Sequence, residues 1–256
     1  MSLLKTIIKY AAPVPKIEGF ERYLFVGPHP DDIEIGAGAA AAKLAAMGKE
    51  VCFLICTDGR FGYGSTDKRG EELVKCRRDE TLASAKALGV NDVRFLELSD
   101  GGLYGIDELR RGIASVVADF RPDIIFCPDP AVDSECHSDH LNVGTACREI
   151  AFFAHFDEIM AEKYSAESAP VAAIAFYFTA KPNRYTDTSG YLGTQLDAVF
   201  ANHISQFPEG STDGRMIRTY LKLKAYDYGV RNFCRTAEGF RVLGEVNMHC
   251  LPECGN

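Results

Sequence analysis

YLFVGPHPDDIEIGAGAAAAKLAAMG, residues 23–48, reads as a buried strand, a reactive turn and a closely packed helix. Tyr23 to Gly27 is a short apolar run stopped by a Gly-Pro pair, the pattern of a buried strand. Gly36 to Met47 is alanine-rich and ends at Gly48, which predicts a helix packed through small side chains. Outward from this unit the rhythm repeats. Val51 to Cys56 and Val93 to Leu96 read as strands, and Glu71 to Leu88 and Leu109 to Phe120 as helices. Asp123 to Cys127 reads as a strand closed by Pro128. This βαβα alternation predicts an α/β fold with a mainly parallel sheet and helices on both faces. Further on, Val171 to Thr179 predicts a strand, and Asp187 to Phe207 and Arg215 to Val230 predict helices. No linker divides the chain, so residues 1–256 read as a single domain.

Composition excludes several classes of partner. The chain has 256 residues, of which 46% are hydrophobic and 25% charged, with a net charge of −8. Gripping a phosphate backbone needs clustered Lys and Arg, so nucleic acid is not an expected partner. The N-terminal stretch is too short and too broken by Pro13 and Pro15 for a signal peptide or a membrane helix. No later run reaches membrane length, so no membrane span and a cytoplasmic location are expected. Nine cysteines without a CxxC pair fit reduced thiols in such a compartment. Cys250 and Cys254 form a CxxxC that could pair or bind metal.

In sheets of this kind ligands bind beyond the carboxyl ends of the strands. Two reactive stretches lie there. Pro28-His29-Pro30-Asp31-Asp32 follows the first strand. A loop with Asp129 and Asp133, then His137-Ser138-Asp139-His140, follows the strand at 123–127. Adjacent carboxylates point in different directions, so one of Asp31 and Asp32 could bind a metal while the other faces substrate. His137 and His140, three apart, share a helical face, and one could bind metal beside a substrate-facing partner. Imidazole and carboxylate suit Zn²⁺ with one position left open, and iron(II) or another divalent ion could use the same set. Taken blandly, HPDD is a helix cap and HSDH a solvated helix start. Their joint position at strand ends favours chemistry. Gly36-x-Gly38 hints at dinucleotide binding, but Ala41 replaces the third glycine and the acidic loop would repel a pyrophosphate. Cys136 lies beside His137 without a second base. Asp100, Phe61, Tyr63 and Tyr104 could contact or stack on a sugar, whereas His155, His203 and His249 read as ordinary histidines.

The chain resembles the LmbE-like deacetylases, the PIG-L family of N-acetylglucosaminyl-type amide hydrolases. The resemblance rests on PHPDDIEIGAG at 28–38, Arg77 and Glu80 with AKALG at 85–89, SDGGL at 99–103, RPDIIFCPDP at 121–130 and HSDH at 137–140. HISQF at 203–207 and AEGF at 237–240 extend it, so the core spans about residues 20–240. The DDIEIG variant resembles the bacillithiol-pathway branch. The resemblance implies a Rossmann-like sheet and a zinc-dependent hydrolase that removes an acetyl group from an N-acetylglucosamine-type sugar or glycoside. It implies His29, Asp32 and His140 as zinc ligands and Asp31 as general base. It places His137 beside the scissile amide, with Asp139 orienting or charge-stabilising it. Arg77 is then a substrate contact, with Asp100 a second candidate. A non-sugar, lipid-linked or antibiotic-type N-acyl substrate, or a non-catalytic binding protein, are the alternatives. A homo-oligomer is compatible with all of these. Residues 61–67 and 153–170 depart from the family pattern and are expected to shape the pocket rim.

Overall fold

A computed structural model describes residues 3–249; the Cys250/Cys254 pair lies outside them. Helix α1 (Leu3–Ala11) is stopped before Pro13 and Pro15. The sheet is built from β1 (Arg22–Gly27), β2 (Glu50–Thr57), β3 (Asp92–Leu98), β4 (Ile124–Pro128), β5 (Ala173–Tyr177), β6 (Arg184–Asp187) and β7 (Ala237–Gly244). Their order is β3-β2-β1-β4-β5-β7-β6. The first five run parallel, and β7 pairs antiparallel with both β5 and β6. The helices are α2 (Asp32–Ala46), α3 (Gly70–Ala87), α4 (Ile106–Phe120), α5 (Ser138–Phe153), the short α6 (Asp157–Ile159), α7 (Leu192–Asp197) and α8 (Thr212–Arg231).

Strand side chains alternate between faces, and both faces are covered, so the central strands are apolar throughout. Leu24, Val26, Leu54, Ile125 and Ile174 pack on one side against Val117 of α4 and Ile150 of α5. Tyr23, Phe25, Phe53 and Phe126 pack on the other against Ala37, Ala41 and Leu44 of α2. Gly36 has to be glycine, because a Cβ there would meet the Tyr177 ring at 2.3 Å. β2 lies on one side of β1 and β4 on the other, so the crevice between the ends of β1 and β4 is the topological switch point.

Helix α2 is broken inside its alanine run, where Ala37 has φ −151° and ψ 18°. A break frees backbone groups, which must find other partners when buried. The N–H groups of Ala39 and Ala40 donate to the Glu238 carboxylate of β7 at 3.2 and 2.7 Å. Gln195 of α7 donates to the Glu34 carbonyl and to Glu238, both at 2.9 Å. Burial pushes the Glu238 carboxyl up to about 7, against the lowering effect of the Ala40 and Ala39 N–H groups. A carboxyl raised on folding contributes stability below its unfolded value that is lost as pH rises through the folded one. The stability difference between wild type and Glu238→Gln should therefore shift towards the variant by roughly 3 kcal/mol between pH 4.5 and 8. Denaturant titrations of both proteins across that range check it.

The chain departs from the sequence reading in its last third. Asp187 to Phe207 is not one helix: Asp187 ends β6, Gly190 takes φ 93°, and α7 passes into a π-helical turn over 198–202. Strands β6 and β7 carry no apolar alternation that announces them. Among the described residues, no helix is long and apolar enough to cross a membrane. Among the described residues seven cysteines are free, and Cys52, Cys56, Cys127 and Cys147 are buried.

Candidate active site

The turn after β1 and the start of α5 after β4 bring His29, Asp31, Asp32, His137, Asp139 and His140 together at the switch point. Asp31 stands at the N-terminus of α2 with φ 115°, and its side chain makes no capping hydrogen bond. The helix-cap explanation of HPDD therefore fails. A non-glycine residue in this region is strained, and such strain persists only where surrounding contacts hold it. Arg77 of α3 supplies them. It is 3% exposed and donates to the Pro30 carbonyl at 2.6 Å, the Gly59 carbonyl at 3.0 Å and the Asp31 carboxylate at 3.2 Å. Arg77 borders the cavity, but its terminal nitrogens are engaged by protein acceptors.

Three ligand-type groups converge at the floor. The His29 backbone N–H and Nδ1 lie 2.9 and 3.0 Å from Asp32 Oδ2, and His140 Nε2 lies 3.4 Å from the same oxygen. One ligand atom from each of His29, Asp32 and His140 lies within 4.8 Å of the others. Each imidazole has its far nitrogen on a carboxylate. His29 Nε2 is 3.1 Å from both Asp100 Oδ1 and Asp139 Oδ2, and His140 Nδ1 is 2.9 Å from Glu135 Oε2. A ring that donates one N–H to a carboxylate turns its other lone pair inward, the usual arrangement behind a metal-bound histidine. A second convergent set, His29, Asp100, His137 and Asp139, is a poorer donor set. Its carboxylates already accept from the Phe61 and Gly101 N–H groups and the Tyr104 hydroxyl.

The charges carry the same message. Burial favours neutral His29, yet the hydrogen bonds its ring donates to Asp100, Asp139 and Asp32 push it up to about 12. Despite burial, His140 and His29 hold the Asp32 carboxyl well below the usual range. A buried cluster of carboxylates that raises an imidazole this far is a site that favours a cation. Asp31 differs: burial pushes it up to about 6, with Arg77 opposing and Asp32 adding to the rise.

His137 caps α5. Its Nδ1 accepts the Asp139 N–H at 3.3 Å, and its ring centroid is 4.6 Å from that of His29 and 5.1 Å from that of His140. Asp139 was expected to orient or charge-stabilise His137; its carboxylate lies 3.9 Å from His137 Nδ1, within ion-pair distance, and closer, at 3.1 Å, to His29 Nε2. The reason is geometric: a capping histidine turns towards the helix N–H groups, leaving the Asp139 side chain to face His29, Gly101 and Tyr104. Asp100 is 5% exposed and is likewise engaged by His29. Glu135 and Tyr104 complete the ring of supports. Sequence reasoning missed Glu135, although it lies two residues before His137 in the strand-end loop. Tyr104 was read as a sugar contact and instead donates to Asp139. His203 is fully buried and paired with Glu34 at 3.1 Å. Removing the Glu135 carboxylate by Glu135→Ala should weaken metal binding about 10- to 100-fold, with Glu135→Gln losing less; metal titration against a chelating dye measures both.

A cavity of about 710 Å³ opens over these groups. Residues 61–67 contribute Phe61, Gly62, Gly64 and Ser65 to its wall, as expected. Residues 153–170 do not line it, which corrects the second expectation. Helix α5 runs away from the switch point for 16 residues, about 24 Å, and delivers that segment to the opposite end of the sheet. There Phe156 and Pro170 border a separate cavity of about 550 Å³.

The sheet order and the His–Asp–His convergence define a metal-type hydrolytic site on a Rossmann-like sheet. The chain belongs to the PIG-L family, whose model, described as GlcNAc-PI de-N-acetylase, matches residues 24–151. It is 35% identical over 234 residues to diacetylchitobiose deacetylase of Thermococcus kodakarensis, covering 91% of this chain and 86% of that one. It is 32% identical over 190 residues to a 1D-myo-inositol 2-acetamido-2-deoxy-alpha-D-glucopyranoside deacetylase of Thermomonospora curvata, covering 63% of this chain and 60% of that one. In structure it superposes on N,N'-diacetylchitobiose deacetylase of Pyrococcus horikoshii with a TM-score of 0.87 at 29% identity, over 98% and 97% of the two chains.

Proposed function

We propose that the chain is a metal-dependent N-deacetylase of N-acetylglucosamine units in short glycosides, with a diacetylchitobiose-type disaccharide as the first candidate. The observation that carries this reading is the convergence of His29, Asp32 and His140 beside the separate buried carboxylate of Asp31 on one cavity. The relatives named above act on a disaccharide and on an inositol glycoside. The aglycone is therefore taken from them and not from the bacillithiol-type branch.

His29, Asp32 and His140 would hold the ion, with zinc the first choice for two imidazoles and a carboxylate. When bound, a divalent ion there supplies a Lewis acid that polarises the acyl carbonyl and acidifies water. Asp31, raised to about 6 by burial, is the group to take the proton of the attacking water and return it to the leaving amine. Arg77 holds Asp31 and its strained backbone in place, and Asp100 and Asp139 hold His29. Because His137 Nδ1 accepts the Asp139 N–H, the neutral ring carries its proton on Nε2. That N–H can donate to the oxygen that gains charge as the carbonyl is attacked.

Acetate release from N-acetylglucosamine, diacetylchitobiose and an inositol glycoside, with and without chelator, tests the reading. Release that stops with chelator and returns with zinc is expected. Release unaffected by removal of all bound metal would refute it.

A further inference from the structure

We propose that Phe61 is the platform on which the sugar ring next to the deacetylated unit stacks, so that it sets a preference for disaccharides over monosaccharides. The proposal rests on the amino-sugar reading above and adds a residue to it.

Four aromatic side chains of this end of the molecule have other commitments. The Tyr63 ring lies under the Arg69 guanidinium at 4.4 Å. The Tyr104 hydroxyl is bonded to Asp139. Phe207 is 6% exposed and packs on Phe200 at 5.5 Å. Phe178 stacks on His140 at 5.9 Å and does not line the cavity. Phe61 lines the cavity and is 49% exposed. Among the described residues it is the lining aromatic with an open face.

Its position is fixed from the catalytic floor. The Phe61 N–H donates to Asp100 Oδ2 at 3.2 Å, and Asp100 Oδ1 lies 3.1 Å from His29 Nε2. The ring rests against Gly101, where an added Cβ would meet Phe61 Cδ2 at 3.4 Å. The loop that carries it is seated on Arg77. Gly59 takes φ 65°, and a Cβ at Gly62 would strike Arg77 Nη1 at 2.2 Å, so this approach requires glycine. Two backbone bonds close the turn, Gly62 N–H to the Gly59 carbonyl at 3.0 Å and Tyr63 N–H to the Phe61 carbonyl at 2.9 Å. Phe61 is thus an exposed ring on a tightly held turn, one hydrogen-bonded residue away from His29.

The opposite wall has the composition a sugar needs. Met216 and Ile217 of α8 face the same cavity, and Asp213 beside them offers a carboxylate acceptor for hydroxyl groups. A pyranose has apolar C–H faces and a polar rim. An aromatic plane below one face, with a carboxylate at the rim, matches both, and a rigid ring loses little freedom on binding. A lone N-acetylglucosamine seated over His29 and Asp31 leaves Phe61 uncovered; the second ring of a disaccharide covers it.

The test is steady-state deacetylation of N-acetylglucosamine and of N,N'-diacetylchitobiose by wild type, Phe61→Ala and Phe61→Trp, each with zinc. The expected result is a KM for the disaccharide raised about tenfold by Phe61→Ala at nearly constant kcat, with kcat/KM for the monosaccharide unchanged. Phe61→Trp should restore the disaccharide KM, which a merely structural role of the loop would not do. Equal losses on both substrates, or no change on either, would overturn the platform while leaving the deacetylase reading intact. No acetate from either sugar with the wild-type protein would overturn the platform, and no acetate from the inositol glycoside in addition would overturn the deacetylase reading.

Discussion

Asp31→Asn should retain its metal and lose about 10²- to 10⁴-fold in turnover, the range that a positioned general base contributes. Asparagine keeps the shape of Asp31 and can still accept from Arg77, so the floor formed by His29, Asp32 and His140 is left in place. What disappears is the one carboxylate of the cluster whose proton affinity burial has moved up to about 6. The same variant should be more stable than wild type, by about 1 kcal/mol. It no longer buries a charge beside Asp32, and Asn is tolerated at positive φ as Asp is, so the turn gains no strain. Metal content per chain, single-turnover acetate release and thermal unfolding of the metal-loaded protein make three separate readings. Turnover near the wild-type rate would remove Asp31 from the base role whatever the other two show.

His140→Ala and His137→Ala should fail in different ways, although the two rings stack 5.1 Å apart. His140 Nε2 faces Asp32 while Nδ1 is anchored on Glu135, so its removal takes away one of the three proposed metal donors. Metal occupancy and activity should fall together, and activity should drop by about 10³-fold or more at limiting metal. His137 points its free edge at the cavity and caps α5 with the other. His137→Ala should keep the metal and lose about 10²- to 10³-fold in kcat, the value of one donor to a developing oxyanion. Metal analysis after gel filtration separates the two. Full metal retention by His140→Ala would require a different donor set.

β1, β2, β4 and β5 were legible because they are buried on both faces and leave nearly continuous apolar runs, whereas the edge strand β3 is mostly half-buried and gives a weaker signal. The site was legible for a related reason. Strand ends in such a sheet face one crevice, so HPDD and HSDH had to meet. β7 was not legible, because Glu238 and Arg241 look solvent-facing until their partners are known. Those partners are the Ala39 and Ala40 N–H groups and Asp129, far away in sequence. The supports of the site were hidden in the same way. Arg77, from the family resemblance, and Asp100 were expected as substrate contacts, and both border the cavity. The fold also engages Asp100 with His29, and Arg77 with two backbone carbonyls and the Asp31 carboxylate. No local pattern encodes a hydrogen bond that spans 71 residues, as from His29 to Asp100.

The bond between Glu238 and the broken helix α2 also has a bearing on how the protein is made. It joins positions 198 and 199 residues apart, and chains grow at about 5–20 residues per second from the N-terminus. The strand–turn–helix unit that carries His29, Asp31 and Asp32 therefore waits roughly 10–40 s on the ribosome for the carboxylate that satisfies it. A nascent chain that stops short of β7 holds every residue of the catalytic floor, yet has an unfinished helix beneath it. Activity should arise late and all at once in translation, with the last strand acting as the closing step of the site.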